Sequence, residues 1–176
     1  MLFHLDLGVL PKNQWNSRQI LQQYLPALNN IMPFLQAVPL TDALINLNPA
    51  FSVRLNQLGI ADIQADERAF FNSDQGYSRE VQLCLQNKAV IWARSICQHD
   101  AQQWQNGMQC GTRPLGQYLY RFNIQRSAFE FACLTVEHPC NPSNELVLAR
   151  RSCFMLHAKP LLLTETFLPE IMTFYH

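Results

Sequence analysis

The sequence predicts an α+β fold in which helices flank a single antiparallel β-sheet and the N-terminal part of the chain is mainly helical. Apolar residues recur at helical spacing in the first quarter of the chain, whereas apolar and polar residues alternate from Tyr77 onward. The predicted strands follow one another along the chain, which favours antiparallel pairing over alternating βαβ units. A length of 176 residues suits one compact unit, so we expect residues 1–176 to form a single domain.

The first predicted helix extends from Ser17 to Leu35, where apolar residues repeat at intervals of three and four positions. Ser17 suits the N-cap, because its hydroxyl can accept a hydrogen bond from a backbone N–H of the first turn. Pro26 and Pro33 are expected to break or kink this helix, because proline lacks the N–H that an interior position needs.

Two shorter helices are also predicted. One extends from Leu40 to Leu47, with Thr41 available as a cap, and it ends before Pro49 because the residue that precedes a proline disfavours the helical conformation. The other covers Arg113 to Tyr120 and begins near Pro114, since proline is favoured in the first turn of a helix.

Alternation with a period of two predicts a β-hairpin and three further strands. The first arm of the hairpin begins at Tyr77 and ends at Leu85, the polar segment 86–88 forms the turn, and residues 90–96 form the return arm. The tight link Ala158-Lys159 joins the last two of the remaining strands. These strands are predicted at Ala128 to Glu137, Leu146 to His157 and Pro160 to Leu168.

Charge and hydropathy exclude several classes of partner. The formal net charge is zero and the pI is near 6.9, so the sequence lacks the basic signature of a nucleic-acid binder. No apolar stretch approaches the roughly 20 residues of a membrane span, and the first residues lack the basic region of a secretory signal. We therefore expect a cytoplasmic monomer without nucleic-acid or membrane partners.

Other common site chemistries find little support in the sequence. The six cysteines and five histidines show no Cys-x-x-Cys pair and no spacing typical of zinc ligands. A domain of this size does not depend on disulfides, so we expect reduced thiols. No serine lies in a Gly-x-Ser-x-Gly elbow, and no glycine-rich loop precedes a lysine as in a P-loop.

Charged residues interrupt the apolar rows of the predicted strands. Arg79 shares its face with Val81 and Leu83, and Glu165 shares its face with Leu163 and Phe167. The pleat that buries the apolar residues therefore points a guanidinium and a carboxylate toward the core or toward a cavity.

Three explanations of these inward charges remain open. The first is that they form buried salt bridges, for instance between Arg79 and Glu165. The second concerns Arg94 and Arg150, which interrupt apolar rows in the same way, and it is that these arginines snorkel to solvent at strand ends. Alternatively, an apolar pocket uses a few charges to orient a small polar ligand, and arginine suits a carboxylate because its planar fork bonds both oxygens.

Four segments carry a resemblance to a known family, and they are Arg79-Glu80-Val81 with the return arm Ala93-Arg94-Ser95, Pro114 to Tyr120, Ala149 to Ser152, and Lys159 to Pro169. In order and approximate spacing they are similar to the Arg-Glu hairpin, the Pro-Leu-Gly-Arg-Tyr-Leu-Phe helix, the Trp-Gly-Arg-Arg-Ser segment and the C-terminal strand of bacterial chorismate pyruvate-lyases. The chain departs from that pattern at Gln117, which replaces an arginine, and at Leu148-Ala149, which replaces Trp-Gly.

The resemblance implies a chorismate lyase-like fold and a reaction in which chorismate loses pyruvate to give 4-hydroxybenzoate, the first step of ubiquinone ring synthesis. It implies that Arg79 holds the ring carboxylate, that Glu165 meets the hydroxyl at the far side of the ring, and that Leu115 contributes a backbone group near the carboxylate. Phe51 stands where the family has a ligand-contacting methionine. Arg79 and Glu165 are thus the expected catalytic residues, and no metal or organic cofactor is expected.

A different function class stays open beside the lyase. Related folds serve as effector-binding domains of transcription regulators, so a pocket for an aromatic acid need not catalyse a reaction. The alternative is therefore a non-catalytic domain that binds a small aromatic acid. The inward charges are also compatible with a purely structural role in a protein of another activity.

Overall fold

The computed structural model describes residues 7–25, 32–119, 124–135 and 145–174. Its centre is an eight-stranded sheet in which the described strands pair antiparallel with one another. The strands are β1 (Asn16–Ser17), β2 (Phe51–Asp62), β3 (Gln75–Leu85), β4 (Lys88–Gln98), β5 (Gln125–Arg126), β6 (Glu130–Leu134), β7 (Val147–Leu156) and β8 (Lys159–Phe167). Their order is β1-β6-β7-β8-β4-β3-β2, and β5 pairs with β7. The predicted α+β class with a single antiparallel sheet is confirmed.

Within the described residues, five short α-helices accompany the sheet. They are α1 (Arg18–Tyr24), α2 (Met32–Leu35), α3 (Leu40–Leu47), α4 (Gln102–Met108) and α5 (Leu115–Leu119). The same residues include three 3₁₀ helices, which cover Leu7–Val9, Ala65–Glu67 and Pro169–Phe174. In the part of the chain that the structure describes, no helix is long and apolar enough to cross a membrane.

The N-terminal helices agree with the sequence in part. Ser17 caps α1 as predicted, because its hydroxyl accepts a hydrogen bond from the backbone N–H of Ile20 at 3.4 Å. The middle of the predicted helix, including Pro26, lies outside the described residues. Pro33 occupies the first turn of α2, where the missing N–H costs no intrahelical hydrogen bond.

Helix α3 has the predicted bounds but not the predicted cap. Its N-cap is Pro39, and no side chain caps its first turn, so the assignment of Thr41 as the cap was wrong. Asn48 ends the helix as expected, and its side-chain oxygen accepts a hydrogen bond from the backbone N–H of Ala50 at 2.9 Å. This turn leads directly into β2.

Two tight hairpins form the middle of the sheet. Gln86 and Asn87 connect β3 to β4 with φ of 48° and 64°, and His157 and Ala158 connect β7 to β8 with φ of 48° and 60°. Positive φ at both turn residues gives the turn a twist that matches the flanking strands. The first hairpin agrees with the prediction, whereas the second turn lies one residue earlier than the predicted link Ala158-Lys159.

Some element bounds differ from those predicted. Strand β6 is shorter than the predicted Ala128 to Glu137, whose last two residues lie outside the described part of the chain. Helix α5 begins one residue after Pro114 and is described to Leu119, so Tyr120 of the predicted helix also lies outside. Helix α4 was not predicted.

The edge strand β2 was also missed, although its twelve residues make it the longest strand. Among the described strands it pairs only with β3, and its residues alternate between half-buried and exposed without a fully buried row. A register shift between Leu55 and Gln57 further interrupts the alternation. A strand that lacks a buried face has no clear period in its sequence.

The two faces of the sheet are covered differently. On one face, α2 and α3 pack with apolar residues of β3 and β4, while α4 and α5 pack with Phe154 and Leu161 at the other end. On the opposite face, Ile63 and Phe71 from the connection between β2 and β3 pack on Ile96 and Leu162. We call these the helical face and the opposite face.

The guanidinium of Arg94 forms hydrogen bonds on the opposite face of the sheet, and the residue is only 3% exposed. Its Nε and Nη2 donate to the carboxylate of Glu67 at 3.0 Å, and its Nη1 donates to Glu80 at 2.6 Å. Nη2 also donates to the backbone oxygen of Asp62 at 2.8 Å. Snorkelling to solvent was therefore wrong for Arg94, because the residue lies within the sheet and finds buried partners there.

Replacing Arg94 with methionine is expected to lower the free energy of unfolding by about 3–5 kcal/mol, because the buried carboxylate of Glu67 loses its cation. Chemical denaturation of the purified variant measures this loss. The control is Arg68→Met, since Arg68 and Asp74 form an ion pair whose side chains are 54% and 84% exposed. We expect that control to lose less than about 1 kcal/mol. Similar losses in both variants would contradict the structural role of Arg94.

Candidate active site

A cavity opens on the helical face of the sheet. Its floor is formed by four neighbouring strands. Their lining residues are Arg79, Val81 and Leu83 of β3, Ala93 and Ser95 of β4, Arg150, Ser152 and Phe154 of β7, and Leu163 and Glu165 of β8. Its volume is about 60 Å³. One water molecule needs roughly 10–15 Å³ on this scale, so the cavity exceeds the space of a single water molecule.

The cavity exists because the central strand carries small residues. Ala93 and Ser95 lie on β4 between the larger inward residues of β3 and β8. In register, Ala93 lies opposite Val81 and Glu165, and Ser95 lies opposite Arg79. Small side chains on a central strand leave a hollow over the middle of the sheet, with charged groups on both sides of it.

The walls and the margin come from segments outside the central strands. The connection into α3 lines one side with Val38 to Thr41, and the start of α5 lines another with Pro114 to Gly116 together with Leu119. Arg126 of β5 and Phe129, which precedes β6, complete the lining. Most of these wall residues are apolar, which is typical of pockets for small organic molecules.

Arg79 lies in the cavity without a charged partner among the described residues. It is 3% exposed, and its Nη2 donates to the backbone oxygens of Gly111 at 3.1 Å and Arg113 at 3.0 Å. Its Nε is buried with no hydrogen-bond partner. Burial lowers the pKa of Arg79, while Cys110 acts in the opposite direction. A buried guanidinium with an unused donor is costly for a protein, and an anionic ligand would offset this cost.

Gly111 allows the loop before α5 to hold this arginine. Its φ is +62°, a conformation that glycine adopts at little cost and side-chain-bearing residues rarely adopt. Its carbonyl oxygen accepts one of the two hydrogen bonds from Nη2 of Arg79. The loop therefore fixes the guanidinium through backbone oxygens, which contribute no negative charge.

Glu165 lies across the cavity and pairs with Arg150. Oε2 of Glu165 accepts a hydrogen bond from Nε of Arg150 at 2.6 Å, and the two side chains are 9% and 3% exposed. No hydrogen bond from the described residues reaches Oε1 of Glu165. One carboxylate oxygen is thus fixed by the protein, and the other remains for a ligand.

The ion pair between Arg79 and Glu165 that the sequence left open does not form. The two residues lie two strands apart, and Glu165 is two residues beyond the position in register with Arg79. At the usual spacings of a sheet their Cα atoms are about 12 Å apart. The buried salt bridge of this face is Arg150 with Glu165, so snorkelling was wrong for Arg150 as well.

The other two residues implied by the family resemblance lie in different places. Leu115 lines the cavity as the first residue of α5, so its N–H is not used by the helix itself. Phe51 does not line the cavity. It begins β2 in register with Leu85 and packs against the apolar core on the α3 side.

A thiol nucleophile finds no support in the described residues. None of the five described cysteines and no histidine lines the cavity. Burial and, to a lesser extent, the nearby Asp100 together raise the pKa of the Cys97 thiol to about 12. Burial also raises the pKa of Cys84, Cys133 and Cys153. Thiolates are the reactive form of cysteine, so these four side chains are poor nucleophiles.

Sequence reasoning missed two parts of the site. It placed Arg150 among the inward charges but did not include it among the site residues, although alternation with Leu148 and Phe154 marked its face. It did not identify Arg126 and Phe129, which belong to a two-residue strand and an irregular segment. Short or irregular segments have no period from which orientation can be deduced.

Comparison with known proteins gives a family model for nearly the whole chain and relatives that match part of it. A family model described as Chorismate lyase matches residues 9–175. "Probable chorismate pyruvate-lyase" of Thiobacillus denitrificans is 33% identical over 108 residues, which cover 55% of this chain and 58% of that protein. A protein of the same name from Albidiferax ferrireducens is 32% identical over 137 residues, which cover 66% of this chain and 70% of that protein. The matched segment thus spans less than two thirds of the first relative.

A solved structure shares the fold. The ligand-binding domain assigned to a GntR-family transcriptional regulator from Bordetella bronchiseptica is similar with a TM-score of 0.50 and 10% sequence identity. The similarity covers 70% of this chain and 88% of that chain. At so low an identity the likeness concerns the fold alone.

Replacing Arg79 with methionine is expected to change the free energy of unfolding by less than about 1 kcal/mol or to raise it. The lowered pKa of Arg79 means that its charged form is less favourable in the folded than in the unfolded protein, so at neutral pH the charge opposes folding. Chemical denaturation without ligand measures the effect. Arg94→Met is the matched control, because that arginine is equally buried but fully paired. A loss as large as in that control would contradict the unpaired state of Arg79.

Proposed function

The chain belongs to the chorismate lyase family, and from this premise we propose that it eliminates pyruvate from chorismate to give 4-hydroxybenzoate. One observation supports the proposal most directly. Among the described residues, an apolar cavity contains a buried arginine without an acidic partner on one side and, on the other, a carboxylate of which one oxygen accepts no hydrogen bond. A ring that carries a carboxylate at one end and a hydroxyl at the other is complementary to these two groups.

The proposed reaction needs few protein groups. The bond between C3 of the ring and the ether oxygen breaks, and its electrons leave with the enolpyruvate. C4 loses its hydrogen as a proton, and the electrons of the C4–H bond complete the aromatic ring. The enolpyruvate that leaves takes up a proton on its methylene carbon and becomes pyruvate. Because aromatisation supplies the driving force, positioning of the substrate is the main contribution required from the protein.

Each of the two charged residues takes one role in this proposal. Arg79 anchors the ring carboxylate through the donors that the protein leaves unused, and its charge is then no longer unpaired. Glu165 meets the hydroxyl at C4 through Oε1 and assists the movement of charge or of the proton there. Arg150 positions Glu165, because it holds Oε2 at 2.6 Å.

Two further assignments rest on the family resemblance. We propose that Leu115 contributes its backbone N–H near the ring carboxylate, since it lines the cavity at the start of α5. Phe51 takes the place of a ligand-contacting methionine in the family, but it packs away from the lining of the cavity. We therefore propose that Phe51 acts through the packing of the core beneath α3. The 4-hydroxybenzoate formed would enter ubiquinone ring synthesis.

The direct test is to incubate purified protein with chorismate and to follow 4-hydroxybenzoate and pyruvate together. We expect the two products in equal amounts, and we expect the rate to persist after treatment with EDTA, because the proposed reaction uses no metal. Binding of 4-hydroxybenzoate without any turnover would contradict the lyase and favour the non-catalytic aromatic acid-binding domain. Loss of turnover in EDTA would contradict the cofactor-independent reaction.

Variants of the two charged residues separate binding from turnover. Arg79→Met is expected to raise KM for chorismate about 10- to 100-fold, because it removes a charge-assisted contact worth roughly 1.5–3 kcal/mol. Glu165→Gln is expected to lower kcat about 10²- to 10⁴-fold, the usual contribution of a positioned acid or base. Steady-state kinetics measure both parameters.

The control for these variants is Arg68→Met, which removes an exposed arginine whose ion pair with Asp74 lies outside the cavity. Its kinetics are expected to match those of the wild type. Wild-type rates from both Arg79→Met and Glu165→Gln would overturn the assignment of the site.

A further inference from the structure

The charges that line the cavity do not balance. The described lining contains three arginines, Arg79, Arg126 and Arg150, and a single acid, Glu165. Arg150 is neutralised by its ion pair with Glu165. Two positive charges therefore remain for a ligand, one on Arg79 and one on Arg126.

Arg126 is exposed, but neighbouring groups hold its guanidinium at the margin of the cavity. Cζ of Arg126 lies 4.1 Å from the centroid of the Phe129 ring, and its Nη1 donates to the backbone oxygen of Ser127 at 3.0 Å. No acid of the described residues pairs with it. Cation–π stacking restricts a long side chain that would otherwise sample solvent, so the charge stays near the opening.

The same aromatic ring connects the margin to the interior of the cavity. Phe129 also lies under the guanidinium of Arg150, at 4.3 Å from Cζ to the ring centroid. Strand β5 places Arg126 in register with Phe154, which lines the cavity. Arg126 therefore belongs to the β7 side of the site.

Arg79 and Arg126 address different parts of a ligand. Arg79 lies on β3, and the order β3-β4-β8-β7-β5 separates the two arginines by four strand spacings. This corresponds to roughly 19 Å between their Cα atoms. Both residues line one cavity on the same face of the sheet, but they approach it from opposite ends of the strand order.

We propose that Arg126 determines specificity for a dianionic substrate by binding its second carboxylate at the margin of the cavity. This inference rests on the proposed function and extends it. Chorismate carries one carboxylate on the ring and one on the enolpyruvyl group, and the reaction places them on separate products. Arg79 then binds the carboxylate that substrate and 4-hydroxybenzoate share, whereas Arg126 binds the one that only the substrate has.

This division of roles favours the substrate over the aromatic product. Both arginines act on chorismate, but only Arg79 acts on 4-hydroxybenzoate after pyruvate has left. Arg126 thus contributes affinity that is lost when the C3–O bond breaks. An exposed charge at the margin of a site also steers an anionic ligand, so its effect weakens as ionic strength rises.

The experiment compares one dianion with one monoanion. Wild type, Arg126→Met and Arg126→Lys are titrated with 4-hydroxybenzoate and with 3-(carboxymethoxy)benzoate, a stable dianion whose second carboxylate is linked through an ether at C3. Kinetics with chorismate are measured in parallel. For Arg126→Met we expect Kd for the dianion and KM for chorismate to rise about five- to tenfold, with Kd for 4-hydroxybenzoate changed less than about twofold.

The other variants identify the cause of the effect. Arg126→Lys retains a positive charge, so it is expected to recover most of the affinity for the dianion. Arg79→Met is expected to weaken both ligands by similar factors. Equal changes for the two ligands in Arg126→Met, or no change for the dianion, would overturn the role of Arg126.

Failure of the inference and failure of the proposed function give different results. If wild type converts chorismate but Arg126→Met does not discriminate between the two ligands, the lyase stands and the role of Arg126 is wrong. If wild type forms no 4-hydroxybenzoate, the lyase is wrong. The ratio of the two dissociation constants then still decides whether Arg126 selects dianions.

Discussion

The rest of the site depends on the contacts that the buried guanidinium of Arg150 makes. It donates to Glu165 at 2.6 Å and to the backbone oxygens of Leu35 at 2.9 Å and Ala37 at 2.8 Å, and it stacks on Phe129. The backbone oxygens of Leu35 and Ala37 belong to the segment that leads into the cavity wall at Val38. One side chain therefore orients the carboxylate and fixes the wall above it, because a buried cation needs all of its partners in place.

The two arginines at the centre of the sheet illustrate opposite uses of burial. Arg94 and Arg79 are equally buried, on neighbouring strands, and point to opposite faces. Arg94 satisfies its donors with Glu67 and Glu80, whereas Arg79 keeps an unpaired Nε beside a cavity floored by Ala93 and Ser95. Unpaired buried charge opposes folding, so its presence is explained better by a ligand than by stability.

The sequence predicted which side chains point inward but not how they pair. Strands β3, β4, β7 and β8 were recognised because each buries one face or both, and the alternation placed Arg79 and Glu165 toward the interior. Pairing depends on strand order and register, which alternation does not specify. The sequence therefore offered Arg79 with Glu165 only as one possible pair, whereas the neighbouring position of β7 and β8 brings Arg150 to Glu165. Edge strand β2 was missed because it has no buried row.

The fold alone does not distinguish a lyase from a ligand-binding domain, since the sheet resembles a regulator's ligand-binding domain at 10% identity. The distinction lies in the polar groups of the cavity. Binding an aromatic acid requires one cation, and under the proposed function Arg79 supplies it. Elimination also requires a group beside the carbon that loses its proton, and under the proposed function Glu165 supplies it. Arg150 donates to only one of the two carboxylate oxygens of Glu165. The carboxylate of Glu165 is therefore positioned and, under the proposed function, still has an acceptor for the substrate.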